Sequence, residues 1–129
     1  MNIGKAAKLS NLTVKTVRYY TDIGLIKPLK SNSTGYRVFS DDDLAQLQFL
    51  AKARKFNFTI QECEELLSLY SDKSRSSKEV KAITLDKISE IDIKLNELKD
   101  LRHQLSFLAK NCKGNDRPEC PILDALSNA

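Results

Sequence analysis

The sequence predicts a mainly α fold: a winged helix-turn-helix, a helical pair, a long coiled-coil helix and a short cysteine-bearing loop. Three observations predict it. Within the first forty residues two short helical patterns flank the turn Leu9-Ser10-Asn11-Leu12, and an extended excursion follows them. From Ser77 to Lys110 no Gly or Pro interrupts a run in which apolar residues recur at three- and four-residue steps. Charge is also unevenly spread. Residues 1–40 carry seven Lys or Arg against the single acid Asp22, a net +6, whereas the remainder carries 14 bases and 16 acids, a net −2. A compact helical unit with that bias suits a polyanion.

The first helix, starting at Ile3, places Ile3, Ala6, Ala7 and Leu9 on one face. Thr13 is a suitable N-cap for a second helix running to about Asp22, and Gly24 ends it. In that register Val14, Val17 and Tyr20 or Ile23 face inward, leaving Lys15, Thr16, Arg18 and Tyr19 outward. Lys27-Pro28 forces the chain out of helix, and the segment up to Phe39, punctuated by Gly35, reads as a β-hairpin wing. Ser40 caps a third helix with Asp41, Asp42 and Asp43 in its first turn, where the helix dipole favours anions. Leu44, Leu47, Phe49 or Leu50 and Ala51 give that helix an apolar stripe as far as Lys55. Thr59-Ile60-Gln61-Glu62 has the capping-box pattern and opens a fourth helix through Leu66, Leu67, Leu69 and Tyr70.

Polar residues from Ser71 to Ser76 form a linker. Ile88, Ile91, Leu95, Leu98, Leu101, Leu105 and Leu108 then line one seam of the long helix. A helix of that length is roughly 50 Å long, more than one small core can cover, so it needs a partner helix. A homodimer supplies one. The chain accordingly divides into a basic N-terminal unit (1–70), a linker and dimerisation helix (71–110) and a cysteine-bearing loop with its tail (111–129).

At 129 residues, 41% hydrophobic and 29% charged, the chain has room for a small domain plus an appendage. No run approaches a membrane span and the N-terminus lacks the apolar stretch of a signal peptide, so a cytoplasmic location without a membrane partner is expected. Three cysteines are too few for a disulfide framework. A thiol oxidoreductase would need a close Cys-x-x-Cys, which is absent, and no enzyme is expected.

Lys15, Thr16, Arg18 and Tyr19 form a mixture suited to phosphates and base edges in a major groove. Tyr36 and Arg37 at the wing, and Arg54 at the end of the third helix, are placed to clamp the flanking backbone. A lone exposed Lys on a helix is ordinarily a solvated face. The clustered charge, the helix-turn-helix spacing and the wing together point to double-stranded DNA.

Cys112 and Cys120 follow the long helix with seven residues between them, including Gly114 and Pro118. Such a loop can bring two sulfurs to one ion, and soft thiolates select copper(I) and its heavier relatives. Structural zinc ordinarily takes four protein ligands, and the neighbourhood supplies no other two. A disulfide switch and a pair of small buried hydrophobes remain alternatives for these two residues. Cys63 reads as a packing residue of the fourth helix, and His103 as a solvated or dimer-facing side chain rather than a ligand.

Thr16-Val17-Arg18-Tyr19-Tyr20, Gly24-Leu25-Ile26 and Gly35-Tyr36-Arg37-Val38-Phe39 resemble the signature of the MerR family of transcriptional regulators. The likeness runs through the helical pair and the long helix, so it covers essentially the whole chain. The resemblance implies a winged helix-turn-helix, an antiparallel coiled-coil dimer and a C-terminal effector site. It also implies a promoter whose spacer is too long for RNA polymerase acting at the same site, and which the effector-bound regulator distorts into register. The Cys112…Cys120 loop is similar to that of the copper-efflux regulator (CueR-like) branch, implying one Cu(I), Ag(I) or Au(I) ion per subunit. Divalent-metal sensors of the family place a further cysteine where this chain has Ser77. Ser77 and Lys81 of the partner subunit would then offset the negative charge left by two thiolates and one monovalent ion. No additional Cys/His cluster follows, so one site is expected.

Overall fold

The computed structural model describes residues 1–127. Helix α1 (Ile3–Ser10) is capped by Asn2, whose side chain accepts the Lys5 N–H at 2.8 Å. It ends at Asn11, which adopts φ 58°. Asn tolerates this left-handed conformation, and it turns the chain towards α2 (Val14–Asp22). The turn's amides stay satisfied, Leu12 N–H donating to the Ala7 carbonyl at 3.0 Å. Thr13 caps α2 as expected, accepting the Thr16 N–H at 3.1 Å.

The inward faces of these two helices are narrower than the sequence suggested. Helix α1 runs through Ser10, and Ser10 takes the buried position, its hydroxyl donating to the Ala6 carbonyl at 2.7 Å, while Leu9 is exposed. On α2, Val17 and Tyr20 are buried, but Val14 and Ile23 are exposed. A helix of two to three turns can press about one stripe against its neighbours, so flanking apolar residues stay outside.

The wing is an antiparallel pair, β1 (Leu29–Lys30) and β2 (Arg37–Val38), in the register Leu29↔Val38 and Lys30↔Arg37. Its turn closes through Ser31 N–H to the Tyr36 carbonyl (2.8 Å) and Gly35 N–H to the Ser31 carbonyl (2.9 Å). Gly35 has φ +73°, a conformation in which any side chain would be strained. Phe39 is buried at the base of the wing, and its N–H donates to the Met1 carbonyl at 2.7 Å, tying the wing to the start of α1.

Helices α3 (Asp41–Lys55) and α4 (Ile60–Ser71) both begin with a complete capping box, Ser40 with Asp43 and Thr59 with Glu62. Each box satisfies two otherwise orphaned amides. Helix α3 carries three aspartates in its first turn and Lys52, Arg54 and Lys55 in its last, matching both ends of its dipole. Phe39, Ile26, Leu47, Leu50, Val17 and Cys63 are the largest fully buried side chains, joining the wing base to α2, α3 and α4. Burying each of the larger ones contributes about 1.5–3 kcal/mol relative to exposure. Cys63 is a packing residue, as the sequence indicated.

The chain forms two compact units, Met1–Val80 and Lys81–Ala129. Helix α5 (Ser77–Asn111) is 35 residues long and leaves Ile88, Ile91, Leu95, Leu98, Leu101 and Leu105 between 38% and 58% exposed. Beyond the cysteine loop lies α6 (Pro121–Ser127), a helix where the sequence indicated only a loop and tail. Proline at its first position presets φ, and Asp124 sits in its first turn. Among the described residues no helix is long and apolar enough to cross a membrane.

Candidate nucleic-acid interface and metal centre

Lys15, Arg18 and Tyr19 stand on the exposed side of α2. Thr16 is half-buried, its amide bound to Thr13 and its hydroxyl accepting from the Thr13 hydroxyl at 2.9 Å. Arg18 shares a concavity of about 380 Å³ with Tyr36 and Arg37 of the wing, Lys30 of β1 and the Asn2-Ile3 start of α1. Three basic side chains therefore converge on one depression. Tyr36 is 77% exposed at its rim. Lys15 and Tyr19 lie on the same helix but outside this lining.

Arg37 is not free. Its Nη2 donates to Asp22 Oδ1, at the end of α2, at 2.8 Å. Lys30 was not singled out from sequence. Its place depends on the hairpin register, which sets it directly opposite Arg37. Like charges in that relation are mutually destabilising, so the wing concentrates positive charge at a cost to its own pairing.

Arg54 occupies a different position. Its Nη1 donates to the Phe58 carbonyl at 2.7 Å, and its guanidinium stands near the Tyr20 hydroxyl. Burial pushes the Tyr20 hydroxyl above its ordinary value, with Arg54 opposing the shift. Arg54 also lines a second concavity of about 670 Å³ with Leu9–Leu12 of the helix-turn-helix turn, Lys52 and Lys55. The structure thus separates Arg54 from the wing cluster that holds Arg18, Tyr36 and Arg37. Guanidinium forks and ammonium groups on these two surfaces are chemically suited to phosphate oxygens.

The two thiols are brought together by the ends of two helices. Cys112 follows α5 directly, its N–H donating to the Leu108 carbonyl at 3.1 Å. Gly114 turns the loop at φ +61°, and Arg117 N–H donates to Asn115 Oδ1 at 2.9 Å. Cys120 precedes α6, and its carbonyl accepts the Asp124 N–H at 3.1 Å. The sulfurs lie 3.8 Å apart, both as free thiols and both half-buried. The Leu123 amide, helped by Cys112 and the Ile122 amide, holds the Cys120 thiol below its ordinary value against desolvation and Asp124. This support comes from α6, which the sequence reading missed; Pro121 was the available signal.

The two sulfurs are close enough for both to bond a single ion. Metal–thiolate bonds of about 2.3 Å reach across that separation, so Cys112 and Cys120 could hold one ion between them. Within one chain, no group of three or more His, Cys, Asp or Glu side chains converges among the described residues. Ser77 and Lys81 are exposed at the start of α5. That helix is roughly 50 Å long, so they cannot reach Cys112 of their own chain. His103 is exposed on α5 and Cys63 is enclosed in the other unit.

Comparison with known proteins places this arrangement in context. Residues 1–69 match the model of the MerR HTH family regulatory proteins, and residues 44–108 match the MerR DNA-binding model. The chain is 48% identical over 128 residues to the HTH-type transcriptional regulator HmrR of Rhizobium leguminosarum bv. viciae, covering 99% of this chain and 98% of the relative. It is 42% identical over 127 residues to the HTH-type transcriptional regulator CueR of Salmonella typhimurium, covering 98% and 92%. The crystal structure of the transcription regulator PbrR691 from Ralstonia metallidurans CH34 in complex with lead(II) superposes with a TM-score of 0.83. It is 29% identical, with 98% of each chain covered.

Proposed function

The chain belongs to the MerR family of helix-turn-helix regulators, which bind DNA and are not enzymes, and from that premise we propose that it is a metal-responsive transcriptional activator sensing copper(I), silver(I) or gold(I). The observation that carries this reading is the thiol pair: two sulfurs 3.8 Å apart, one of them favoured as thiolate by the amides of α6. A soft monovalent ion would supply a bond to both thiolates and so tie the end of α5 to the start of α6. Cys112 and Cys120 hold it, one ion per subunit. Two thiolates and one positive charge leave a net negative charge, which a divalent ion would cancel.

The exposed leucine seam of α5 supports a homodimer with antiparallel pairing. That pairing sets Ser77 and Lys81 of the partner subunit beside the thiols, where a helix N-terminus and an ammonium offset the negative charge. Lys15, Thr16, Arg18, Tyr19, Tyr36, Arg37 and Arg54 hold promoter DNA, with or without the ion. Occupancy of the thiol site biases which dimer conformation is populated, and the favoured one distorts an overlong spacer so that RNA polymerase engages the same promoter. The site of action is the cytoplasm.

In vitro transcription with purified protein tests the reading. Copper(I) and silver(I) should activate, zinc(II) should not, and Cys112→Ser should bind the promoter yet fail to activate. Activation by zinc(II) as strong as by silver(I) contradicts it. The same 3.8 Å separation favours a second reading, a Cys112–Cys120 disulfide formed by a peroxide-type oxidant with loss of two electrons and two protons. That reading requires activation by the oxidant with metal chelated.

A further inference from the structure

We propose that Asp22 is a positioning residue for DNA recognition: it holds the wing guanidinium of Arg37 beside Arg18, and so increases discrimination for the cognate duplex over other DNA. This rests on the reading of the wing as part of the DNA-binding surface. Asp22 is the only carboxylate in the first forty residues, and it ends the recognition helix α2. On electrostatics alone a negative charge at the edge of a phosphate-binding depression weakens binding. Its contribution must therefore come through geometry.

The wing needs such a brace. Its strands are two residues each, and a short isolated hairpin is marginal in water. Its register also sets Lys30 against Arg37, a like-charge pair that drives the two side chains apart. Asp22 counters that repulsion and joins wing to recognition helix across fifteen positions of sequence, through a bond of 2.8 Å from Arg37 Nη2 to Asp22 Oδ1.

The bond also leaves Arg37 usable. A guanidinium has five N–H donors, and only Nη2 is engaged, so Nε and Nη1 have no hydrogen-bond acceptor among the described residues. Arg37 can keep Asp22 and still donate to a phosphate or a base edge. Holding that side chain before DNA arrives removes part of the rotamer entropy otherwise lost on binding. The two side chains are 30% and 55% exposed, so the pair adds little to folding stability, and its loss reads out on DNA rather than on the fold.

The test is fluorescence anisotropy with the full chain, comparing a duplex selected by the wild-type protein from a randomised pool with a scrambled duplex of equal composition. D22N should bind the selected duplex about fivefold more weakly although it gains net positive charge, and should bind the scrambled duplex as well as or better than wild type. D22E should restore selected-duplex affinity to within about twofold, and R37A should add little in the D22N background. The proposal is overturned if D22N binds the selected duplex as tightly as wild type or more tightly while R37A has lost affinity. That outcome would make Asp22 a bystander or a competitor of phosphate and would leave the wing reading intact. If R37A itself binds the selected duplex like wild type, the wing reading falls and this proposal falls with it.

Discussion

The first eighty residues enclose a hydrophobic core, whereas the described residues beyond them leave their large apolar side chains at the surface. Every buried hydrophobic residue among those described lies between Ala6 and Leu67. Helix α5, by contrast, carries a row of leucines and isoleucines about half-exposed along a rod no small core could cover. The DNA-reading unit is complete within one chain: its helices are capped, its wing is tied at the base and its basic groups converge. The unit that carries the two thiols differs, because they sit at the end of a helix whose apolar seam is half-exposed along its length. The basic groups that would meet DNA are thus positioned within one protomer's fold, whereas on the proposed function the full promoter affinity and the response to an effector both require a second chain.

The largest effect should come from attacking the incomplete half. Leu95→Glu combined with Leu98→Glu sets charges in the seam and should convert the protein to monomer, costing several kcal/mol of association and most of the promoter affinity. Sedimentation that still reports a dimer would place the interface elsewhere. Next in size, Cys120→Ser should abolish copper-dependent transcription while changing promoter affinity less than about twofold, since the basic unit supplies the electrostatic term. Gel-shift and transcription assays on the same preparation separate the two.

Smaller effects should appear in the complete half. Arg18→Ala removes a guanidinium from the wing concavity and should cost about 1–3 kcal/mol of binding or flatten the salt dependence by roughly one unit of slope. An unchanged affinity and slope would remove α2 from the interface. Ser40→Ala breaks the capping box of α3 and should lower unfolding free energy by about 1 kcal/mol without touching metal response, as read by denaturant titration. The smallest concerns protonation. Because the Cys120 thiol is held below its ordinary value in the folded chain, its alkylation rate should rise at lower pH than that of a cysteine in an unfolded peptide. Linkage has the same sign: the amide–thiolate contact stabilises the fold above the unfolded-state value and is lost as pH falls through the folded one. Identical alkylation profiles would remove the thiolate preference.

Much of this contrast was legible in the residues. Thr13, Ser40 and Thr59 with Glu62 announce their helices because capping chemistry is local, and the structure bears out each one, adding Asp43 as Ser40's capping-box partner. The uninterrupted run after Ser77 likewise announces α5. Which face of a short helix turns inward is less local. Leu9, Val14 and Ile23 looked as apolar as the residues that are buried, and only neighbouring helices decide that Ser10 goes in and Leu9 stays out. Helix α6 escaped notice because seven residues hold too little periodicity to register, although Pro121 marks its start. At the site, the cysteine pair was visible from spacing, but the amides of Ile122 and Leu123 that favour the thiolate were not. Lys30 and Asp22 were hidden for a different reason. Their importance arises from hairpin register and from a contact between residues fifteen apart, neither of which composition encodes.

The central claim is that two thiolates, and no third protein ligand, form the effector site. X-ray absorption on the purified protein, loaded anaerobically with copper(I) in competition with a chelator, tests it most directly. The account predicts one copper(I) per chain bound by two sulfurs, lost in Cys112→Ser, and zinc(II) held more weakly under the same conditions. A third protein ligand on copper, or zinc(II) bound as tightly as copper(I), would contradict it.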